Sequence, residues 1–351
     1  MKILHAKSPC CQGKTYRFGN KRRQCAICGK TWTIRPKRRG RKSYRINKSL
    51  LRRILLDGKK LSHEFKKDYP SLPALCYRFR KSLEWLARQP RGYHLNFKGF
   101  VLLADGLWFS FKKEKWILFL MVLKPINNNE AILLDPVLLR NGESYDNWQA
   151  ALDTIPDSAK KRIVAFVSDD FRAADKLAEE HQWVHQLCHF HLIAQLQIRR
   201  GKRKPAILGR NIREKIYQTI RQTLVVADKK KLNCLKSCLK RLSRHPECPY
   251  KLRMIVNEFL RKINLYRAYL LYPELNLPNT TNVVESTCRI IRRAAATLNT
   301  PRALRLRSIA LIRLRSKITC NGKIFNRINL TIPDISMMCG QKLWSLIKSE
   351  A

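Results

Sequence analysis

The segment Leu187–His191 reads Leu-Cys-His-Phe-His and places a Cys-x-x-His directly after a short apolar run. This segment decides the interpretation of the fold because acidic residues flank it on both sides. Asp105 and Asp169 each follow an apolar run upstream, and Glu285 lies downstream in a segment with helical periodicity. Carboxylates that come close together repel one another unless cations lie between them, so this order of residues predicts a metal-ion site.

The charge of the whole chain indicates the partner of such a site. Its 351 residues include 72 Lys and Arg but only 25 Asp and Glu, a formal net charge of +47. A chain this basic binds polyanions, because each neutralised phosphate releases condensed counterions. The apolar content of 45% favours a folded protein over a disordered basic tail. We therefore expect a folded protein that binds nucleic acid.

The beginning of the chain has no apolar run of the kind that a secretory signal requires. Without such a signal, the twelve cysteines are expected to be thiols or metal ligands rather than disulfides. The most apolar stretch, Trp116–Leu123, is too short to span a bilayer. The sequence thus predicts a cytoplasmic, nucleoid-associated protein without a membrane partner.

Residues 98–191 alternate between strand-like and helical patterns. Five short apolar runs are expected to form strands: Phe100–Ala104, Trp116–Leu123, Ala131–Leu139, Ile163–Val167 and Val184–Leu187. Helices are predicted between the later runs, over Trp148–Ile155 and Phe171–His181, and again from near Asn282 and over Pro301–Lys317. Three adjacent strands, then helix, strand, helix and strand, are typical of an α/β fold with a mixed sheet.

The two upstream acids are predicted to converge. Asp105 is expected to end the first strand and Asp169 to follow the fourth, and residues just past neighbouring strand ends share one crevice. Glu285, near the start of a helix, would complete an oxygen ligand set suited to Mg²⁺ or Mn²⁺. Two such ions about 3.5–4 Å apart can activate an attacking hydroxyl and stabilise the leaving oxygen in phosphoryl transfer.

Each acid also has a structural interpretation of its own. Asp105 precedes a glycine, as in a turn, and Asp169 or Asp170 is a suitable cap for the helix expected from Phe171. Glu285 has the spacing of a capping box with the residue three before it, and of an ion pair with the arginine four after it. The metal site is therefore predicted from the three acids together.

The Cys-x-x-His itself has two structural alternatives. One is a buried thiol beside a hydrogen-bonded histidine. The other is a zinc site that combines Cys188 with His185, His189 and His191, since thiolate and imidazole are the usual zinc ligands.

In order and type, the motifs resemble the catalytic domain of bacterial DDE transposases of the Mutator-like superfamily. The matching segments are Ala-Asp-Gly at 104–106, Gly-Glu-Ser with a later Trp at 142–148, Val-Ser-Asp at 167–169, Cys-x-x-His at 188–191 and Thr-Asn-Val-Val-Glu-Ser at 281–286. The resemblance covers roughly residues 98–318. It implies an RNase H-like mixed sheet with an all-helical insertion, and two Mg²⁺ ions on Asp105, Asp169 and Glu285.

The same resemblance leaves two roles open. Family members often have glycine where this chain has Asp170, so the ligand is Asp169 or Asp170, and Asp169 is favoured. The family does not clearly assign Cys188 and His191 to the catalytic metals, so both are interpreted as supports of the active site.

The amino-terminal segment carries a second candidate metal site. Cys25 and Cys28 form a Cys-x-x-Cys closed by glycine, the spacing of a zinc knuckle. This segment resembles the zinc ribbons of insertion-sequence transposases, in which a second Cys-x-x-Cys is usual. Cys11 fits that second pair, but serine stands where its first cysteine belongs. The fourth ligand of a structural Zn²⁺ is therefore Cys10 or His5; the alternative is a degenerate ribbon that no longer holds a metal ion.

Several basic residues are candidates for contacts to DNA. Arg39 and Arg41 flank a glycine, as in a minor-groove AT-hook, although a plain charged linker has the same composition. Arg78 and Arg80 lie on the second helix of a possible helix-turn-helix, for which a helical spacer is the alternative. Three arginines that follow Glu285 would clamp phosphates near the metals, or form a solvated basic face: Arg289, Arg292 and Arg293.

These patterns divide the chain into a zinc ribbon, a basic linker, a helical DNA-binding module, a catalytic domain in two parts, a helical insertion and a tail. Their expected bounds are 1–35, 36–45, 46–92, 98–191 with 279–318, 192–278 and 319–351. The resemblance implies an insertion-sequence transposase that binds terminal inverted repeats and target DNA, acting as a homodimer or a larger synaptic assembly. A DNA-binding regulator with an inactive core and a metal-dependent nuclease without strand transfer are the alternatives.

Overall fold

The computed structural model describes residues 7–19, 21–33, 48–64, 71–89, 91–93, 95–127, 130–201, 207–315 and 327–329. The chain divides into two compact units, Met1–Asn47 and Lys48–Ala351. Within the ranges given, no helix is long and apolar enough to cross a membrane.

The first unit contains a three-stranded antiparallel sheet, with β1 (Thr15–Arg17), β2 (Arg22–Cys25) and β3 (Thr31–Thr33) in that order. Only Ser8, Thr15 and Cys25 are buried among the residues described in this unit. A domain that buries so little apolar surface needs another source of stability, such as a metal ion. The expected zinc ribbon itself lies partly outside the described residues.

The second unit is built on a mixed sheet with the order β10-β6-β5-β4-β8-β9, and β7 pairs with β5. The strands are β4 (Phe100–Phe111), β5 (Glu114–Pro125), β6 (Glu130–Leu133), β7 (Val137–Arg140), β8 (Ile163–Ser168), β9 (Val184–Leu187) and β10 (Arg327–Asn329). Strands β4 and β5 form a long antiparallel hairpin, whereas β4, β8 and β9 are parallel. The predicted mixed α/β layout is confirmed, and it is compatible with an RNase H-like fold.

Strand β4 is longer than the sequence pattern predicts. Asp105 was expected to end this strand, but β4 continues to Phe111 because β5 pairs with it along its whole length. The prediction that Asp105 ends the strand was therefore wrong, and the turn interpretation of its Asp-Gly was wrong as well. Pairing with the parallel strand β8 ends at Leu103 and Val167. Asp105 thus lies just past the end of the parallel pairing, although it is inside the hairpin.

Two other expected elements differ from the structure. The run Ala131–Leu139 forms two strands, β6 and β7, with Pro136 between them, because proline has no N–H to donate to a ladder. The helix expected from Phe171 is α5 (Ala174–Glu180), and its N-cap position is Ala173. The acids at 169 and 170 therefore do not cap this helix.

Helices cover both faces of the sheet. On one face lie α3 (Tyr145–Leu152), α4 (Asp157–Lys160) and α5, around the fully buried Trp148. The Trp148 ring contacts Phe119 and Phe171, with centroids 4.4 and 4.6 Å away. On the opposite face lie α12 (Asn282–Ala295) and α13 (Pro301–Arg315), which pack their apolar residues against β4 and β5. Because β4 is buried on both faces up to Ala104, it has a fixed position from which Asp105 projects.

The segment between β9 and α12 is helical and has its own apolar core. Its helices are α6 (His189–Arg200), α7 (Arg210–Val225), α8 (Lys229–Arg244), α9 (Tyr250–Arg261), α10 (Ile263–Tyr266) and α11 (Ala268–Leu271). Gln186 of β9 joins this segment to the sheet, because its amide donates to Tyr266 O and accepts from Tyr269 N at 3.1 and 2.9 Å.

Two helices precede the sheet, α1 (Lys48–Leu55) and α2 (Leu72–Arg88). Ser71 caps α2, and its hydroxyl accepts from Ala74 N at 3.3 Å. Helix α2 packs against α13, where the buried Arg313 donates to Leu86 O and Gln89 O at the carboxyl end of α2. The basic residues of α2 are thus carried on a helix that is fixed to the sheet-bearing unit.

Candidate active site

Asp105, Asp169 and His191 come together beside the end of β8. Each offers one ligand atom, and these atoms all lie within 4.8 Å of one another. Asp105 projects from β4, Asp169 lies directly after β8, and His191 lies in the first turn of α6. Acids that are 64 residues apart in sequence, at 105 and 169, are thereby brought together, as the sequence predicts.

A second group overlaps the first. Cys188, His191 and Glu285 also have ligand atoms within 4.8 Å of one another. Glu285 Oε1 lies 4.0 Å from His191 Nδ1 and 3.7 Å from Cys188 Sγ. The two groups share His191, whereas the three acids do not form one group this close. Glu285 therefore lies next to the aspartates across the imidazole ring.

Helix α12 also contacts Asp105 directly. Cys288 Sγ donates to Asp105 Oδ2 at 3.3 Å, and Cys288 follows Glu285 by three residues, so both lie on the same face of the helix. Burial, and after it the negative charge of Asp105, raise the pKa of Glu285 to about 7 and that of Cys288 well above its usual range. These effects indicate that Asp105 and Glu285 face the same polar interior.

The buried acids and the histidine of this site shift one another's pKa values. Burial, and then the charge of Asp105, raise the pKa of Asp169 to about 6. Burial disfavours a charged His191, but the contact with Cys188 and the charges of Glu285 and Asp105 raise its pKa well above the ordinary value. The acids of both groups therefore act on His191.

Two polar atoms of this site are buried without a hydrogen-bond partner, Asp169 Oδ1 and His191 Nδ1. Buried polar groups are nearly always hydrogen-bonded, so such atoms at one point need a ligand or a water. A divalent cation fits both observations, because it would bind the free carboxylate oxygen and offset the clustered negative charge. The residues present therefore fit a hard metal ion on the carboxylates.

Cys188 links the elements that carry the acids. Its backbone N–H donates to Ser168 O at 2.8 Å, next to Asp169. Its sulfur accepts from Thr281 N at 3.4 Å, and the Thr281 hydroxyl donates to Glu285 Oε1 at 2.9 Å. Cys188 is nearly fully buried, so these contacts are shielded from water. The geometry is compatible with the expected role of Cys188 as a support.

The structure does not bring together the four residues of the alternative zinc site. His185 bonds to Ser168 Oγ and to Asp175 Oδ1, at 3.0 Å each. His189 is buried against Tyr266 O, and its pKa is lowered to about 4 by burial. Neither histidine joins Cys188 and His191 in a metal-ligating group.

The neighbouring Asp170 points to a different partner. Its carboxylate forms an ion pair with Lys262, at the end of α9, and Lys262 also pairs with Asp175 at 3.1 Å. Asp169, by contrast, lies in the group with Asp105. The two acids that the sequence offers as alternative ligands, with Asp169 favoured, therefore have different surroundings in the structure.

Glu143 is a further acid near this site that the sequence analysis did not select. It precedes α3, on the sheet face opposite to α12, and Trp148 Nε1 donates to its Oε1 at 3.1 Å. A Cβ added at Gly106 would lie 3.0 Å from this oxygen, so Glu143 lies against the backbone next to Asp105. Burial and the charges of Asp169 and Asp105 raise its pKa to about 7. Its Gly-Glu-Ser motif was the available signal.

The first unit contains a separate cluster of four thiols. Cys10, Cys11, Cys25 and Cys28 each offer a sulfur within 4.8 Å of the others, a set that could bind a metal ion. Cys10 Sγ lies 3.3 Å from Cys28 Sγ, so Cys10 is the fourth thiol of the cluster. His5, the alternative fourth ligand, lies outside the described residues.

Ser8 supports the thiol cluster without being a member of it. Its buried hydroxyl accepts from Cys11 N at 3.3 Å, from Gly13 N at 3.1 Å and from Cys25 Sγ at 3.2 Å. When Cys25 loses its proton, the Ser8 hydroxyl can donate to the thiolate instead, and this bond is the main reason that the pKa of Cys25 is lowered to about 6. The bond to Cys28 raises the pKa of Cys11 to about 12. The serine at the position of a cysteine therefore stabilises a Cys25 thiolate.

The candidate DNA contacts are dispersed. Arg39 and Arg41 lie outside the described residues. On α2, Arg80 is exposed and lies 5.6 Å from the ring centre of Tyr77, and Arg78 is half-buried.

The arginines of α12 differ from one another. Arg289 is exposed and Arg292 is half-buried. Arg293 donates to Leu56 O, after α1. Arg293 is therefore engaged by the protein itself, whereas Arg289 remains accessible from solvent.

Comparison with known proteins gives similarities to solved structures alone. No model of a protein family matches the sequence, and no curated protein matches it. Twelve chains of solved structures match. One is the Drosophila P element transposase strand transfer complex, with a TM-score of 0.39, 11% sequence identity, and coverage of 77% of this chain and 92% of that chain.

Proposed function

We propose that the chain is a metal-dependent DNA transposase whose catalytic carboxylates are Asp105, Asp169 and Glu285. The main support for this proposal is that the two aspartates form one group with His191, and that His191 forms a second group with Cys188 and Glu285. The net charge of +47 supports DNA as the substrate. Strand cleavage at terminal inverted repeats and joining to target DNA are part of this proposal, as is a dimeric or larger assembly that brings two DNA ends together.

Asp105, Asp169 and Glu285 would hold two Mg²⁺ or Mn²⁺ ions. Such ions supply an activated water or 3′ hydroxyl and stabilise the leaving oxygen of the phosphodiester. The chain contributes the positions of the carboxylates. Thr281 and Cys188 orient Glu285 through their contacts with its Oε1, while Cys188 N–H fixes the strand end before Asp169. The exposed Arg289, one helical turn after Glu285, is available to a phosphate beside the site.

The thiol cluster is proposed to hold a structural Zn²⁺ in a ribbon that contributes to binding the DNA ends. Four thiolates are a closed ligand set that leaves no position for substrate. The bond to Cys28 raises the pKa of Cys10 and raises that of Cys11 to about 12, so these two thiols must lose protons when the ion binds.

The test is cleavage of linear duplexes that carry the DNA flanking the gene, with Mg²⁺ present. We expect Asp105→Asn, Asp169→Asn and Glu285→Gln each to lower the cleavage rate by about 100-fold or more, because each removes a charge that holds the metals. Asp170→Asn is the matched control and should cut at nearly the wild-type rate, because Asp170 pairs with Lys262.

Equal cutting by all variants would overturn the carboxylate assignment. Cutting without joined products would support a nuclease without strand transfer. Binding to DNA without any Mg²⁺-dependent cutting would support the regulator with an inactive core.

A further inference from the structure

The β4–β5 hairpin extends beyond the rest of the sheet next to the carboxylates. Parallel pairing with β8 ends at Leu103, whereas β4 continues to Phe111. From Asp105 onward, no strand in the described ranges pairs with this edge of β4. The hairpin therefore presents an open edge that begins at a candidate metal ligand.

Trp108 is the large exposed side chain of this overhang. Half of its surface, 50%, is exposed, and it lies on the same strand face as Gly106 because alternate residues share a face. Its indole hydrogen-bonds to Glu143. Its Cη2 would lie 2.6 Å from a Cβ added at Gly142, a position with φ of +89° that favours glycine. The ring is therefore fixed along one edge and remains open to solvent.

Positive charge lies beyond this ring at the hairpin tip. Lys112 and Lys113 form the turn, and Lys115 is the second residue of the return strand β5; all three are exposed. In the other direction, three residues of strand place Asp105 about 10 Å away on the opposite strand face, so a DNA strand that contacts both residues must cross the open edge of β4. An aromatic surface between lysines and a metal-binding carboxylate matches the surfaces that bind single-stranded nucleic acid.

We propose that Trp108 stacks an unpaired nucleobase of the DNA strand whose phosphate reaches the carboxylates. This inference rests on the proposed function, because it assumes that the acids act on DNA. Inside a duplex both faces of a base are covered by its neighbours, so away from a duplex end the indole can stack only on a base that has left the helix. The fixed indole loses little freedom on binding, and the lysines attract the phosphates on either side of the base.

The first experiment measures stacking by fluorescence. A single-stranded oligodeoxynucleotide that carries 2-aminopurine is titrated with the full chain, without added Mg²⁺ and at elevated salt to weaken phosphate contacts. Stacking on the indole is expected to quench the probe. Trp108→Ala should remove most of the quenching and weaken binding about 5- to 150-fold, the range for stacking one base. Binding of a duplex of equal length should change by less than about twofold.

Two variants serve as controls. Trp108→Phe keeps an aromatic face and should retain most of the quenching, even though it loses the hydrogen bond to Glu143. Tyr250→Ala removes an exposed aromatic ring from α9, far along the chain, and should leave quenching unchanged. Retained quenching in Trp108→Ala, or its loss in Tyr250→Ala alone, would overturn the proposal.

The second experiment uses the wild-type chain and does not depend on how a variant folds. Photocrosslinking to a strand with 5-iododeoxyuridine should label the tryptic peptide at 99–112, which contains Trp108. Labelling confined to other peptides would overturn the inference. Crosslinking at 99–112 without any Mg²⁺-dependent cleavage would support the stacking surface and contradict the proposed transposase activity. Cleavage without this crosslink would support the transposase activity and contradict the stacking surface.

Discussion

The two candidate metal centres of this protein are built in opposite ways. The four thiols all lie between Cys10 and Cys28, on two turns beside a small sheet, and three of them are exposed. The carboxylates come from positions 105 to 285 and lie around His191 only because a long hairpin, a parallel strand and two distant helices pack together. The ligands of the first centre are thus soft thiols that lie close together in sequence. Those of the second are hard carboxylate oxygens that lie far apart in sequence.

This difference predicts which centre needs its ion in order to fold. The described residues of the first unit include very few buried side chains, so we expect its structure to depend on cross-linking by a metal ion. The carboxylates lie between two extensive apolar cores on the two faces of the sheet. There we expect the apolar cores to stabilise the fold, and a metal ion to be needed only to neutralise the acids.

The largest expected effect is therefore the loss of zinc from the first unit. Cys25→Ser, or removal of zinc by a chelator, should unfold residues 7–33, because structural zinc contributes about 10–16 kcal/mol in small zinc domains. Limited proteolysis and the zinc content by mass spectrometry measure this, and the sheet of the second unit should remain protected. Cys234→Ser, at an exposed cysteine outside the cluster, is the control. A metal-free first unit that resists proteolysis would contradict the comparison.

The next effect concerns the remote centre, whose geometry depends on hydrogen bonds between distant elements. Thr281→Val removes the hydroxyl that donates to Glu285, so the carboxylate loses its orientation. We expect Mg²⁺-dependent activity to fall about 10- to 100-fold, as for other partners of metal ligands, with little change in the melting temperature.

Thr287→Val is the matched control for Thr281. It removes an equally buried hydroxyl from the same helix, but one that donates to the backbone of Val283 at 2.9 Å. Activity should survive in this variant, and Thr281→Ser should restore it in the other. Equal losses in both valine variants would mean that helix stability, and not the position of Glu285, is what matters.

A smaller effect is expected from pH. The pKa of Asp169 is raised to about 6 and that of Glu285 to about 7, above the unfolded values of about 4. The metal-free folded state therefore binds more protons than the unfolded chain, and the stability from these groups is lost as the pH rises from about 4 to 7. Mg²⁺ should offset this loss, with affinity that rises up to about tenfold per pH unit for each proton displaced.

Thermal unfolding at several pH values, with and without Mg²⁺, measures this dependence. Glu285→Gln removes one of the raised groups, so its metal-free stability should fall less steeply with pH than that of the wild type. Identical slopes for the two proteins would show that Glu285 does not titrate in this window. The thiol centre is expected to behave differently, because without zinc its fold should be lost at every pH.

The local sequence pattern predicts the thiol centre better than the carboxylate centre. Cys25 and Cys28 are recognisable from spacing alone, and β8 and β9 lie close to where the apolar runs place them. The convergence of Asp105 with Asp169 also follows from strand order. The length of β4 does not, because it depends on β5 pairing through Phe111, and an Asp-Gly inside a hairpin looks like a turn.

Glu143 shows what sequence cannot supply. Its motif was visible, but its position depends on Gly106 leaving room for its carboxylate and on the indole of Trp148 lying in the core. Both depend on packing between elements far apart in sequence. The roles of Asp105, Asp169 and Glu285 as metal ligands stay predictions that the cleavage assay tests.

The smallest expected effect tests whether the thiol centre also depends on a supporting residue. Ser8→Ala removes a buried acceptor of three hydrogen bonds, yet it leaves all four thiols in place. Because the bond from Ser8 is the main cause of the lowered pKa of Cys25, zinc affinity at neutral pH should fall by up to about tenfold. Competition with a coloured chelator measures it, and Ser49→Ala, at an exposed serine of α1, is the control. If Ser8→Ala binds zinc as tightly as the wild type, local spacing alone is sufficient for the thiol centre, and only the carboxylate centre depends on its surroundings.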